Sequence, residues 1–224
     1  MYNIIYKFIL TSTFVCLSDK ILLFLFGDIS RWFQLHFVGN LFICYFSGKN
    51  LLRLRNISQN ELIEYNDNTM MCCVMTFVLH FYHTLFFKMS TTDFYHHLYF
   101  VFLTGILLGM IYPNLYISLS ISTFFITGLP GGIVYLLLCL QKRKWISKSS
   151  QKEIHSYVDT YIRVPGGILA AILNYFTSLH SSGFYTQWVY FIMGVLAYIN
   201  VTYYGKMAIE NNIEYKKKLK IEKS

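Results

Sequence analysis

Charged side chains are scarce in this chain of 224 residues. Asp, Glu, Lys and Arg make up 13% of the sequence, against about 25% in a typical soluble domain. Hydrophobic residues make up 55%, and the mean hydropathy is +0.43. This balance argues against a soluble enzyme and predicts an all-α, polytopic membrane protein. The length suits one compact helical bundle.

Two further features are missing. The five cysteines form no CxxC pair and have no zinc-finger spacing, so we expect them to be small hydrophobic residues within helices. The first residues, MYNIIYKFIL, carry no small-residue cleavage site. They therefore predict a retained first helix rather than a cleaved signal peptide.

The net charge of +8 comes largely from two short basic segments, residues 142–152 and 216–223. Beside apolar spans, such clusters are typical of the cytoplasmic side of a membrane, where they attract anionic lipid. We therefore expect membrane lipids as partners and no nucleic acid.

Seven stretches approach the roughly 20 residues needed to cross a bilayer. The predicted helices cover residues 3–26, 31–47, 69–87, 93–111, 114–140, 161–179 and 185–208. The sequence GLPGG at 128–132 predicts an interruption of the fifth helix. Polar loops are expected at 48–68 and 141–160. This divides the chain into a first helix and turn (1–29), a bundle (30–208) and a basic tail (209–224), and seven crossings place both basic segments on the cytoplasmic side.

Four of the seven histidines lie between His80 and His97, in a segment that is otherwise mostly apolar. If the flanking runs are antiparallel helices, His83 and the pair His96-His97 lie about 6–8 Å below one membrane face. Ionisable side chains at that depth are rare and mark functional sites.

Other polar residues descend from the same side. His36 and Asn40 share a helix face by their spacing of four, and Arg31, Asp93 and Arg163 lie near predicted helix starts. We predict that these residues converge with His83 on one ligand-binding pocket. The alternative is structural: the arginines would extend to lipid headgroups, and the histidines would form ordinary interhelical hydrogen bonds.

A metal centre is not expected. Histidine-box enzymes of membranes need about eight histidines in HxxxH and HxxHH arrangements, and this chain has seven and neither box. A haem held by two histidines fits the geometry of His83 with His96 or His97, but nothing else indicates a redox protein. The prediction is no metal and no cofactor.

Three motifs resemble the TLC-domain family, which includes ceramide synthases and TRAM proteins. They are RWFQLHFVGN at 31–40, DFYHH at 93–97 and GLPGG at 128–132, and the resemblance covers roughly residues 30–205. It implies a helical bundle in endoplasmic-reticulum or related membranes that encloses a lipid-accessible cavity.

The synthase branch of that family pairs a double histidine with two aspartates in a following helix, and it transfers an acyl group from acyl-CoA to a sphingoid base. His96-His97 matches the first element, but residues 112–141 contain no acid. This departure favours the non-synthase members, which act in lipid composition, sensing or trafficking.

Three functions stay open. The first is lipid binding or sensing for membrane lipid homeostasis without catalysis. The second is acyl-CoA-dependent N-acyltransfer, with His96 or His97 as the catalytic base and acyl-CoA and a sphingolipid precursor as ligands. The third is transport of a small solute or lipid, against which the chain shows no inverted repeat. The oligomeric state stays open.

Overall fold

The computed structural model describes residues 2–56 and 58–222. Its described part contains no strand and is built from seven long helices. They are α1 (Tyr2–Phe26), α2 (Arg31–Arg53), α3 (Asp67–Phe86), α4 (Thr91–Ile111), α5 (Ile117–Lys142), α6 (Lys148–His180) and α7 (Phe184–Ile221). A 3₁₀ turn, Leu54–Asn56, and a single helical turn, Gln59–Leu62, connect α2 to α3.

Six of these helices, all except α2, are long and apolar enough to cross a membrane. The remaining helix is the centre of the bundle, because α2 packs against α1, α3 and α5. Its 23 residues give it a length of about 35 Å, and five of its polar residues, Gln34, His36, Asn40, Ser47 and Asn50, are buried against neighbouring helices. The prediction of an all-α, multi-pass membrane bundle is confirmed.

α6 and α7 form a long antiparallel hairpin that packs against α5. α4 is the most peripheral of the later helices: its buried residues are His97, Val101 and Ile111, and it contacts α3 and α7. Exposed apolar side chains cover α1 and the outer faces of α6 and α7, as expected for helices that face lipid.

An ion pair inside the bundle joins the first three helices. Arg31 on α2 donates from Nε to Asp19 on α1 at 2.8 Å, and a second guanidinium nitrogen also binds this carboxylate. The hydroxyl of Tyr82 on α3 donates to Asp19 at 2.7 Å. Asp19 is buried while the adjacent Lys20 is exposed, so the acid is compensated within the bundle.

Several helices are longer than the sequence predicted. α2 continues to Arg53 instead of ending at 47, and α7 continues to Ile221 instead of ending at 208, so most of the predicted tail is helical. The predicted loop at 141–160 is short, because α6 begins at Lys148. At 38 residues, α7 is about 57 Å long, well beyond a hydrocarbon core of about 30 Å. Helical hydrogen bonding continues into the polar segments.

The predicted interruption at 128–132 was also wrong, because α5 is continuous there. Its backbone changes to π-helical geometry over Phe124–Gly128, and Pro130 then falls in the first turn of the α-helical part that follows. At this position Pro breaks few hydrogen bonds. Gly131 permits close contact with α2, because a Cβ there would lie 2.8 Å from Nδ2 of Asn40.

The two basic segments lie at one end of the bundle, hereafter the basic end. Lys216 near the end of α7 pairs with Glu153 near the start of α6 at 2.7 Å, and Lys148 and Lys152 lie over the ring of Tyr215. The shared end predicted for these segments is therefore observed.

Candidate functional site

A cavity of about 280 Å³ lies near the basic end, between α2, α3, α4, α5, α6 and α7. We call it the histidine chamber. Its polar lining consists of Asn40, Thr92, Asp93, Thr127, Asp159, Arg163, Asn200, Tyr204, Asn211 and four histidines, His36, His80, His96 and His155. Six helices contribute, so the chamber exists only in the assembled bundle.

Five imidazole rings cluster at this chamber. The ring centroid of His80 lies 5.3 Å from that of His36 and 5.1 Å from that of His97. His83 lies 4.8 Å from His97, and His96 lies 6.0 Å from His80. The four histidines of the 80–97 segment are thus joined by His36 from the central helix.

Hydrogen bonds to the backbone and to a threonine orient two of these rings. His80 Nδ1 donates to the carbonyl of Thr76 at 2.7 Å, since a carbonyl can only accept. Thr84 already donates its hydroxyl to the carbonyl of His80, so the 3.1 Å contact with His97 has Nδ1 of His97 as the donor. In their neutral forms both rings therefore keep Nε2 as an acceptor.

Two of the lining rings, those of His36 and His96, contact tyrosines. His96 Nδ1 lies 2.9 Å from the hydroxyl of Tyr204 on α7, which holds the start of α4 against α7. His36 stacks on Tyr135 of α5 with centroids 4.5 Å apart. Both contacts fix the ring planes that face the chamber.

An acid enters the chamber from α6. Asp159 is fully buried, and its Oδ2 accepts from Arg163 at 2.9 Å and lies 3.4 Å from Nε2 of His155. The three residues are spaced by four, so they share one face of the helix. Arg163 compensates the charge of Asp159.

Several buried polar atoms of this region have no hydrogen-bond partner among the described residues. They are Nε2 of His36, Nδ1 of His83, Oδ1 of Asp159 and Nε of Arg163. An unpaired buried polar atom costs about 1–3 kcal/mol, so such a concentration is unusual in a purely structural cluster. It is typical of a site whose partner is a ligand.

Three segments of π-helix surround the chamber: Leu98–Phe102, Phe124–Gly128 and Asp159–Arg163. The first directly follows His96-His97, the second contains Ile126 and Thr127, and the third begins and ends with the ion pair. π-Helical turns are rare, and they occur frequently at functional sites.

The predicted site residues occupy three kinds of place. Those that line the chamber are His36, Asn40, Asp93, His96 and Arg163. His83 and His97 lie behind the lining, in ring contact with it. Arg31 is elsewhere, in the ion pair with Asp19.

Asp93 has a structural task as well. Its carboxylate accepts from the hydroxyl of Ser90 at 2.7 Å and from the backbone N–H of Ser90 at 3.2 Å, while Ser90 caps the start of α4 in return. This reciprocal cap orients the turn of helix that carries His96 and His97.

The sequence reasoning missed Asp159 and assigned His155 to a loop. Both were placed in the predicted 141–160 loop, which is helical. The spacing of four in His155, Asp159 and Arg163 was the signal that could have found them, because it puts a cation and an acid on one helix face.

No group of three or more His, Cys, Asp or Glu side chains in residues 2–56 and 58–222 is placed to hold a metal ion.

A second cavity adjoins the first. This apolar chamber, of about 110 Å³, lies between α3, α4, α5 and α7. Its lining includes Phe77, Val101, Gly105, Leu108 and Leu196, and the residues common to both chambers are Ile126, Thr127 and Asn200. The polar chamber and the apolar chamber are thus neighbours that share part of their wall.

The fold and the site together define a multi-pass, α-helical membrane protein with two adjacent cavities, one with a polar lining and one with a mostly apolar lining. Comparison with family models, with curated proteins and with solved structures found no match to this chain.

Proposed function

We propose that this protein binds a membrane lipid, with the lipid headgroup in the histidine chamber and its hydrocarbon in the apolar chamber. The observation that carries the proposal is the shared lining of the two chambers at Ile126, Thr127 and Asn200. A ligand that satisfies both spaces must be amphiphilic.

The unpaired polar atoms support the same function. In a bilayer no water reaches deep sites freely, so polar atoms without partners are costly. A headgroup would supply the missing hydrogen bonds of His36 and Asp159. The peripheral position of α4 gives such a lipid a lateral route from the membrane.

The order of the three motifs supports a place among the TLC-like membrane proteins of the non-synthase type. On this proposal the protein contributes to lipid homeostasis in the endoplasmic reticulum or a related membrane. The basic end would face the cytoplasm, because positive residues flank cytoplasmic helix ends. A glycosylation acceptor introduced into the 143–147 turn should then stay unmodified.

The test is the lipid that co-purifies with the protein, identified and counted by mass spectrometry. We expect a bound lipid in the wild-type protein and its loss in the double variant His96→Ala, His97→Ala. His180→Ala is the matched control, because this histidine is exposed on α6 and lines neither chamber. Unchanged lipid content in the double variant would overturn the proposal.

One observation favours acyltransfer as a second candidate. The acid that α5 lacks is supplied by α6, since Asp159 lines the same chamber as His96. His96 would take the proton of an amine or hydroxyl as the acceptor attacks the thioester of acyl-CoA. The new amide or ester forms, the C–S bond breaks, and the proton passes to the thiolate of CoA.

Release of free CoA from acyl-CoA and a long-chain amine distinguishes this candidate. Turnover that is lost in Asp159→Asn would establish it. No turnover with any long-chain acceptor would leave lipid binding as the function.

A further inference from the structure

The charges of the histidine chamber restrict the headgroup. Asp93 is exposed where it lines the chamber, and its carboxylate accepts from Ser90. The charged lining residues inside are Asp159 and Arg163, which form a pair at 2.9 Å, so both signs lie at one place. A cationic head would lie beside Arg163, and an anionic head would lie beside Asp159. Both would disturb a compensated pair in a medium of low dielectric constant. An uncharged head avoids this cost.

The unpaired atoms specify its hydrogen bonding. Oδ1 of Asp159 is a buried acceptor without a partner, and Nε2 of His36 is a buried ring nitrogen without one. A hydroxyl group donates to a carboxylate, and it donates to or accepts from an imidazole. Nε of Arg163 is a buried donor without a partner, and the oxygen of a hydroxyl can accept from it. A head with two hydroxyls meets all three needs.

The junction of the two chambers adds a donor. Asn200 on α7 is 6% exposed, lines both chambers, and its amide makes no side-chain hydrogen bond within the part of the chain that the structure describes. Thr127 beside it already donates to the carbonyl of Thr123 at 2.7 Å. The free donor at the junction is therefore the amide of Asn200, which suits a carbonyl group.

We infer that the ligand is a lipid of the monoacylglycerol class: an uncharged head with two hydroxyls, one ester carbonyl and one hydrocarbon chain. The hydroxyls lie with His36 and Asp159, the carbonyl accepts from Asn200, and the chain enters the apolar chamber. At about 110 Å³ that chamber is small, which favours a ligand with a single hydrocarbon chain. This inference rests on the proposed function.

Direct binding of defined lipids tests the headgroup. The full-length protein, freed of lipid in detergent, is titrated with 1-monooleoylglycerol, oleic acid, oleylamine and oleoyl lysophosphatidylcholine. We expect monooleoylglycerol to bind at least about tenfold more tightly than the anionic, the cationic and the zwitterionic lipid. None of these three heads offers two hydroxyls to Asp159 and His36, and one lost hydrogen bond to a charged group is worth about that factor. Equal or tighter binding of a charged lipid would overturn the inference and leave the proposed function standing. Absence of binding by all four would overturn both.

An ether analogue tests the contact with Asn200. 1-O-Oleylglycerol has the same hydroxyls and chain but no carbonyl, so the wild-type protein should bind it about tenfold more weakly than the ester. Asn200→Leu should reduce the affinity for the ester to that for the ether and leave the affinity for the ether unchanged. An equal loss for both lipids would show that Asn200 only shapes the cavity, and no loss for either would show that it makes no contact.

A matched pair of glycines on α4 tests the chain position. Gly105 lines the apolar chamber, and a Cβ there would lie 3.0 Å from the ring of Phe77. Gly109 lies one turn further, where a Cβ would meet nothing within 4 Å. Gly105→Leu should weaken monooleoylglycerol binding at least about tenfold, because it fills the chamber, and Gly109→Leu should not. Equal affinities in the two variants would place the chain elsewhere.

Discussion

Two clusters of buried polar side chains at opposite ends of the bundle differ in how completely they are paired. At the end opposite the basic end, Asn50 on α2 donates to Asn66 at 2.8 Å and to Thr69 at 3.3 Å, and Asn66 also accepts from the backbone N–H of Thr69. None of these three residues has an unpaired buried side-chain atom. This asparagine cluster lines none of the cavities described above.

The histidine chamber has the opposite properties. Its polar side chains come from six helices, it surrounds an open space, and three of its lining residues, His36, Asp159 and Arg163, keep a buried atom without a partner. Polar groups that stabilise a membrane bundle pair with one another. The contrast therefore indicates that the asparagine cluster holds helices together, whereas the chamber is arranged for a ligand.

The largest effect on stability is expected in the asparagine cluster. Asn66→Ala removes the cap of α3 and the nearer of the two acceptors of Asn50, which should lower the free energy of unfolding by about 2–3 kcal/mol. Lipid affinity of the folded fraction should not change. Denaturant unfolding in detergent measures the loss. Asn56→Ala, at an exposed asparagine, is the control, and equal stabilities of the two variants would refute the structural assignment.

A smaller effect is expected where α5 crosses α2 at the chamber. Gly131→Ala places a methyl group 2.8 Å from Nδ2 of Asn40, while the Cβ of Gly132→Ala would lie an ordinary 3.6 Å from Asn40. The first should cost about 1–2 kcal/mol of stability and push Asn40 into the chamber, which weakens lipid binding. The second should be nearly neutral. Thermal unfolding of both variants, with and without lipid, checks this; a neutral Gly131→Ala would mean that Asn40 moves freely.

The smallest effect is expected at the cap of α4. Ser90→Ala removes one hydroxyl from an exposed reciprocal cap, which should cost about 1 kcal/mol. Because this cap orients the turn that carries His96 and His97, lipid binding should weaken as well, unlike in Asn66→Ala. Ser90→Thr restores the hydroxyl and should recover both properties. Loss of stability without any change in binding would separate the cap from the chamber.

The sequence predicted the membrane bundle because hydropathy reports helices that face lipid. The limits of α1, α3 and α4 agree with prediction within about two residues. Hydropathy does not report the polar ends of helices. At 148–160 and 209–221 the residues become polar, but helical hydrogen bonds continue. That error hid Asp159, although its spacing of four from His155 and from Arg163 is visible in the sequence. The tertiary fold decides only which neighbouring helices face it.

The partner of Arg31 shows a second limit of prediction from sequence. Its position at a helix start near the basic end was read correctly, but its partner Asp19 lies on another helix twelve residues earlier. The sequence alone does not show whether the side chain of Arg31 lies nearer to Asp19 or to the histidine chamber. The junction residue Asn200 was missed for the same reason, since only packing places it between two cavities.

Lipid-induced stabilisation of His36→Phe tests the central claim most directly. Phenylalanine keeps a ring that stacks on Tyr135 and removes the unpaired Nε2, so without lipid the variant should be at least as stable as the wild type. At a concentration of lipid about 100 times the wild-type Kd, binding adds about 2.7 kcal/mol to the wild type, and Asn66→Ala should gain as much. If His36→Phe binds the lipid tenfold more weakly, the same lipid concentration should stabilise it by only about half as much. Equal gains in all three proteins would contradict the assignment of the histidine chamber as the lipid site.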